Sequence, residues 1–331
     1  MQIPVSVILP VYKGAAYLKN AIESILQQSF TSFELVIVND ASPDNSEEII
    51  RQFTDPRIKY YKSDINLGLV GALNKAISLS SGKYLARMDQ DDFSFKDRLK
   101  IQYEFLENNP EYIVAGTKVR ILGTERLKEY PATNEEIKMK LVFGAPFAHP
   151  AVMIRKSILD DNDLQYEEQY RHAEDFGLWM RLSALGKMIN LDYVGLDYRI
   201  HETQYTKVFT DDSRDVYYTI RDEYLKKIGV KMDQQDRDKF EILSRRDIDV
   251  RDEKVLRETG DFINKLADIF KNASIDQRIL KDFLYVKWKR FCVERAKKGL
   301  KTYSIFRSCP VSKWRSDWKL HLWFLKNYLA S

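Results

Sequence analysis

Short β-branched runs alternate with segments of helical periodicity through the first 120 residues. That alternation restricts the chain to a sheet built from βαβ units, mixed but largely parallel, with helices on its faces. Val5 to Leu9 reads as a buried strand, followed by a helical stripe of Tyr17, Leu18, Ala21, Ile22, Ile25 and Leu26. Glu34 to Val38 predicts a second strand, ending at Asn39-Asp40, and Pro43 to Phe53 a second helix begun by Ser42 and Asp44. Ile58 to Tyr61, Leu69 to Leu79 and Tyr84 to Met88 continue as strand, helix and strand.

The fourth strand runs directly into Asp89-Gln90-Asp91-Asp92, three carboxylates in four residues. Such charges repel, and a divalent cation is the usual compensator: Mg2+ and Mn2+ take oxygen ligands, commonly one or two carboxylates plus substrate phosphates. A solvated turn, or an Asp N-cap for the helix that begins near Phe95, is the alternative. Asp40 and the tetrad both fall at carboxyl ends of strands, the edge where open α/β sheets bind ligands. A nicotinamide or flavin cofactor is disfavoured, because Pro10-Val11-Tyr12-Lys13-Gly14 follows the first strand where G-x-G-x-x-G would be needed. No P-loop sequence occurs either.

Further along, Phe95 to Asn108 has the pattern of an amphipathic helix closed by Asn109-Pro110. Tyr112 to Leu122 and His149 to Ile154 read as strands, and Glu174 to Leu185 as a helix stopped by Gly186. Beyond about residue 206 charges become dense, Pro and Gly scarce, and helices are expected to the end, which divides the chain into 1–205 and 206–331. The two cysteines, Cys292 and Cys309, make no disulfide framework, and the N-terminal residues have no signal-peptide pattern; a cytoplasmic protein is expected. No apolar run approaches the ~20 residues of a transmembrane helix. From Arg278 onward, however, fourteen Lys or Arg stand against three Asp or Glu, net +11, leaving net −7 for residues 1–277. Trp288, Trp314, Trp318 and Trp323 share this tail. Basic residues interleaved with indoles suit an anionic membrane surface, and packing within a helical subdomain is the alternative.

In order and approximate spacing, Pro10-Val11-Tyr12, Val38-Asn39-Asp40-Ala41-Ser42, Asn66-Leu67-Gly68, Ala86-Arg87-Met88-Asp89-Gln90-Asp91-Asp92 and Ala173-Glu174-Asp175 resemble the motifs of family 2 glycosyltransferases with the GT-A fold. The resemblance covers roughly residues 3 to 205 and is nearest to bacterial members that extend lipopolysaccharide, capsule or related surface glycans. It implies a UDP-sugar donor and a divalent metal, Mn2+ or Mg2+, held by Asp91 and Asp89, with His201 at a position that supplies an imidazole in some members. Asp89 would alternatively meet the ribose, and Asp92 orient the site or the acceptor. Asp40 would accept from the nucleobase N3–H, and Pro10, Val11 and Tyr12 would line the base slot through backbone and ring contacts. Asn66, Gly68, Arg87 and Gln90 belong to the same nucleotide-sugar site. Each of these residues also has an ordinary structural reading as turn, cap or core.

By the same resemblance, Asp175 is the base that takes a proton from the acceptor hydroxyl, giving an inverted product. Adjacent helical residues point about 100° apart, so Glu174 would anchor the loop or touch the acceptor instead. Two departures stand out: Lys13 where many relatives have Asn, and Leu73 where many have Arg, which shifts diphosphate neutralisation to the metal with Arg87 or Lys13. The expected acceptor is a glycan or glycolipid at the cytoplasmic face of the membrane; nucleic acid is not an expected partner. A polyprenyl phosphate acceptor, or a non-catalytic nucleotide-sugar-binding membrane scaffold, are the competing readings.

Overall fold

The computed structural model describes residues 3–201, 211–244, 253–295 and 300–313. Two compact units are formed, Met1–Arg221 and Asp222–Ser331.

The first unit holds β1 (Val5–Val11), α1 (Leu18–Leu26), β2 (Phe33–Asn39), α2 (Ser46–Arg51), β3 (Ile58–Lys62), α3 (Gly68–Leu79), β4 (Tyr84–Arg87), β5 (Phe93–Ser94), α4 (Arg98–Asn108), β6 (Tyr112–Ile121), β7 (Leu127–Lys128), α5 (Asn134–Leu141), β8 (Met153–Arg155), α6 (Lys156–Asp161), α7 (Glu174–Leu182) and β9 (Lys187–Tyr198). The division between units falls within α8 (Asp211–Lys227). Among the described residues the strands form one mixed sheet in the order β3-β2-β1-β4-β8-β6-β9-β5, with β7 beside β6. β1 to β4 are mutually parallel. Every residue of β1 and β2 is buried, as expected of central strands covered on both faces.

The chain moves outward from β1 to β3 and then returns to β4 on the other side of β1. This reversal makes the carboxyl ends of β1 and β4 a topological switch point, the kind of place where open α/β sheets bind ligands. β8 is antiparallel to both β4 and β6, while β6 and β9 run parallel through two irregularities in register.

Several local expectations change. His149 to Ala151 forms a 3-10 turn, and only Met153–Arg155 is extended. The short turn follows from Pro150, which cannot donate to a ladder. The expected helix near Phe95 begins at Arg98, after the two-residue strand β5, so the acidic tetrad does not cap it. β9 was not anticipated because Asn190, Asp192 and Asp197 interrupt its apolar pattern. Asn190 serves the carbonyls of Pro131 and Pro146, at 2.8 and 3.1 Å, and Asp197 pairs twice with Arg120, at 2.7 and 2.8 Å.

Where the sheet changes from parallel to antiparallel, two polar side chains of α4 replace ladder bonds. Arg98, fully buried, donates from Nη1 to the carbonyls of Arg87 and Pro150, at 3.0 and 2.8 Å, and from Nε to Ser94 Oγ at 2.8 Å. One turn later Gln102 Nε2 donates to the carbonyls of Ala115 and Ala151, at 2.6 and 2.9 Å. Burial pushes the Arg98 guanidinium down to about 10, still cationic at neutral pH.

The second unit is helical over its described residues: α9 (Gln234–Ser244), α10 (Glu253–Ile269), α11 (Gln277–Arg295) and α12 (Leu300–Ser308). Trp288 is its centre, fully buried and stacked with Phe291 and Phe306 at 6.1 and 6.4 Å between centroids. Of the tail tryptophans, Trp288 is therefore core; Trp314, Trp318 and Trp323 lie outside the described residues.

Arg98→Met keeps most of the buried stem but orphans two carbonyls, each costing about 1–3 kcal/mol. A loss of about 3 kcal/mol in urea unfolding is expected, and Arg98→Lys should recover little of it, because a single ammonium cannot reproduce the guanidinium fork. A loss below about 1 kcal/mol would show that the bonds contribute nothing beyond packing.

Candidate active site

The loop after β1 is tied down by side chains rather than shaped by a run of glycines. Tyr12 N–H donates to Gln90 Oε1 at 2.8 Å, Lys13 N–H to Ser42 Oγ at 3.1 Å, Gly14 N–H to Ser46 Oγ at 3.1 Å and Ala15 N–H to Asp44 Oδ2 at 3.0 Å. Gln90 Nε2 also donates to the Tyr12 carbonyl at 2.9 Å. Val11 C=O accepts from Asp40 N–H at 2.8 Å and Ser42 Oγ at 3.3 Å. The backbone of Val11 and Tyr12 is thus already engaged. What Tyr12 presents outward is its ring, 41 % exposed, with Lys13 Nζ 5.2 Å from its centroid.

Asp40, at the end of β2, is buried, and its Oδ1 accepts from Leu67 N–H at 2.6 Å. Burial raises its pKa, against the N–H groups of Leu67 and Gly68. Asn66 closes the same loop, donating to the Asp40 carbonyl at 3.3 Å and accepting from Gly68 N–H at 3.1 Å. Gly68 has φ of +72°, a conformation that favours glycine.

Beyond β4, Asp89, Asp91 and Asp92 each offer a carboxylate oxygen, all within 4.8 Å of one another. Arg87, buried, is ion-paired with Asp89. His201 Nε2 lies 2.7 Å from Asp91 Oδ2, and its ring is 5.4 Å from that of Tyr17. Arg199 spans the loop, donating its N–H to Asp92 Oδ1 at 2.9 Å and Nε to the Asp91 carbonyl at 2.8 Å. Asp92 Oδ2 is buried without a hydrogen-bond partner. Burial raises the pKa of both Asp89 and Asp92; Asp91 adds to this in each case, and Arg87 opposes it. Three crowded carboxylates with an orphaned oxygen and an adjacent imidazole form an oxygen-rich donor set that fits a hard divalent cation.

The acidic pair opens α7, Glu174 at the first helical position and Asp175 at the second. Glu174 is buried with Oε2 unpartnered, and burial, reinforced by Asp175, pushes it up to about 7. Asp175 is only half-buried; its Oδ1 accepts from Phe176 N–H at 2.7 Å. Burial raises its pKa, while Phe176 N–H and the Arg87 charge oppose the rise. Asp175 also lies close enough to Asp89 to raise that carboxylate's pKa. The structure therefore brings Arg87, Asp89, Glu174 and Asp175 into one electrostatic neighbourhood, although 84 residues separate the tetrad's Asp91 from Asp175.

Aromatic groups back this pair. Trp179 meets Phe147 and His149 at 5.1 and 6.0 Å between centroids, and His149 Nε2 lies 2.7 Å from Tyr166 Oη. Burial, with Arg87 adding to it, holds His149 well below its usual pKa, so the ring is neutral. Asn74 fixes Tyr166 through paired backbone bonds of 2.8 and 3.0 Å. Tyr217 packs on Phe176 at 4.7 Å and accepts from Ala145 N–H at 3.2 Å. Gly144 leaves room for that hydroxyl: a Cβ there would lie 1.7 Å from it.

Arg98, Arg199, Tyr130 and Tyr166 were not singled out from the sequence, yet all bear on the site. Arg98 and Gln102 carried a usable signal, two polar residues on the helical face that also bears Leu99 and Leu106. Tyr130, whose pKa burial raises with Tyr198, Asp175 and Asp92 adding to it, sits in a polar stretch without periodicity.

Comparison with known proteins bears on the family and the fold. The family model described as Glycosyl transferase family 2 matches residues 6–162. The O-antigen biosynthesis glycosyltransferase WbnJ of Escherichia coli is 34% identical over 235 residues, 67% of this chain and 89% of its own length. The putative glycosyltransferase EpsE of Bacillus subtilis is 35% identical over 189 residues, 55% of this chain and 67% of its own. Among solved structures, S. aureus TarS 1-349 in complex with UDP-GlcNAc superposes with a TM-score of 0.59 at 21% identity, covering 94% of this chain and 90% of that one. The mannosyltransferase PcManGT of Pyrobaculum calidifontis, in complex with GDP-Man and Mn2+, gives 0.52 at 13% identity, covering 98% and 79%. The fold is thus α/β of the GT-A kind, and with relatives this similar over most of their length, the chain belongs to the family 2 glycosyltransferases.

Proposed function

We propose that this glycosyltransferase moves a hexose or N-acetylhexosamine from a UDP-sugar to a hydroxyl of a lipid-linked glycan, with inversion, in bacterial surface polysaccharide biosynthesis. The observation that carries the reading is the proximity of two acidic groups of different character. One is a crowded carboxylate cluster at the switch point; the other is a half-buried carboxylate at a helix N-terminus, with Arg87 acting on both. The UDP-GlcNAc bound by TarS and the O-antigen role of WbnJ support the donor and pathway class.

In this reading Asp91, Asp89 and His201 hold a divalent metal, Mn2+ or Mg2+, which when bound supplies Lewis-acid stabilisation for a departing diphosphate. The Tyr12 ring covers the base, and the Asp40 carboxylate accepts from the uracil N3–H. Asn66 and Gly68 act by shaping the loop that meets Asp40. Asp175 takes the proton of the acceptor hydroxyl as its oxygen bonds to the anomeric carbon and the bond to the UDP oxygen breaks. The positive end of the α7 dipole and Arg87 favour the ionised carboxylate that this role needs. Glu174, buried beside it, fixes the start of the helix.

No described helix is long and apolar enough to cross a membrane. Attachment at the cytoplasmic face would instead rest on the basic residues of the tail, since Trp288 is committed to the core of the second unit.

Asp175→Asn should lower kcat by about 100-fold to 10,000-fold with donor binding intact, whereas Glu174→Gln should cost much less. Near-normal turnover in Asp175→Asn would move the acceptor to a phosphate, which needs no base. Because the base must be ionised and burial disfavours ionisation, kcat/KM should fall as pH drops, with a midpoint above the ordinary carboxylate value. UDP release should vanish on chelation and return with Mn2+ or Mg2+, and Asp91→Ala should shift the metal titration to higher concentration. On anionic vesicles, flotation should be salt-sensitive and weakened by reversing Arg315, Lys319 and Lys326 together; flotation indifferent to both would remove the membrane reading.

A further inference from the structure

Gln90 is the one member of the acidic tetrad that is not a carboxylate, and its side chain points away from the cluster chemistry into the backbone of another loop. Its amide makes two bonds to one residue: Oε1 accepts from Tyr12 N–H at 2.8 Å and Nε2 donates to Tyr12 C=O at 2.9 Å. This reproduces with a side chain the paired bonding of an antiparallel bridge. It spans 78 residues of sequence, between the loop after β1 and the loop after β4. Independent of those bonds, residue 14 is built to admit the clamp. A Cβ on Gly14 would lie 2.4 Å from Gln90 Oε1 and 2.8 Å from its Cδ. Lys13, between the two, is held at φ of +53°, a conformation unusual for a residue with a side chain.

We propose that Gln90 is a positioning residue that locks the Tyr12 ring in register with Asp89, Asp91 and Asp92, so that the surface for the nucleobase and the surface for the diphosphate are spaced as one unit. It acts through Tyr12 rather than by touching the donor, which distinguishes it from the carboxylates on either side. Ligand contacts at two ends of a rigid nucleotide need both surfaces ordered at once, and the cost of ordering them is removed before binding. The effect should therefore fall on donor affinity more than on the chemical step. This inference rests on the UDP-sugar reading given above for the ligand, though not for the clamp itself.

The test uses the full chain with Gln90→Met, which keeps length and removes both bonds, Gly14→Ala, which pushes on the same amide from the opposite side, and the double variant. In free protein, amide exchange of the segment around Tyr12 should accelerate in all three, with thermal melting close to wild type. Donor KM should rise by about tenfold, the factor expected for two lost hydrogen bonds, with a smaller change in kcat. The double variant should resemble either single one, because both break the same clamp. Unchanged exchange around Tyr12, a fall in kcat at constant KM, or multiplicative KM effects in the double variant would each overturn the proposal. Faster exchange in the variants, in a protein whose wild type turns over no UDP-sugar, would uphold the clamp and overturn the donor reading instead.

Discussion

A buried guanidinium, bonded to backbone carbonyls rather than to a carboxylate, bridges the place where the sheet changes from parallel to antiparallel pairing. Parallel ladders run from β3 to β4 and stop, because β8 approaches from the opposite direction through a turn containing Pro150. Backbone carbonyls around that junction are buried, and an unmet buried carbonyl is expensive. Arg98 and Gln102 answer four of them from a single helix face. The same guanidinium is close enough to Asp92 that the carboxylate's charge supports its own. Structural clamp and acidic cluster are therefore coupled: the cation that closes the sheet also lies under the site.

The site is uneven in a way that follows from this foundation. In the loops after β1 and β2, four successive N–H groups are bonded to side chains from elsewhere and Asp40 is bonded to the Leu67 backbone. In the loop after β4, carboxylates are crowded and Asp92 Oδ2 has no partner. A loop whose hydrogen bonds are complete binds through shape and ring contact; a cluster whose charges are unbalanced binds through charge. Glycine-rich phosphate loops expose their N–H groups to the ligand, and here those groups are consumed internally.

Much of this was legible in the chain because strong periodicity and strand-end carboxylates are local signals. The first four strands and the helices between them follow from apolar spacing alone, and so does the shared edge of Asp40 and the tetrad. What escaped depends on pairing across long separations. β9 is a strand only because Asn190 and Asp197 find Pro131, Pro146 and Arg120, residues at least 44 positions away. Gln90 reads as a spacer between acids until Tyr12 is beside it. The His149 segment looked like a strand because its apolar residues are core residues, yet Pro150 makes it a turn.

Arg87 shows how the same sequence position can change its meaning once neighbours are known. Its place in the tetrad motif suggested a cation for the diphosphate, alongside Lys13. A phosphate partner needs a guanidinium that can present two N–H groups outward. Arg87 is instead buried and already paired with Asp89, and its charge acts on Asp175, Glu174 and His149 together. A cation in that position lowers the free energy of ionising Asp175 and raises that of protonating His149. Lys13, by contrast, is exposed beside the Tyr12 ring. The motif itself is therefore divided: Arg87 acts on the Glu174–Asp175 pair as well as on Asp89, while the three carboxylates crowd one another.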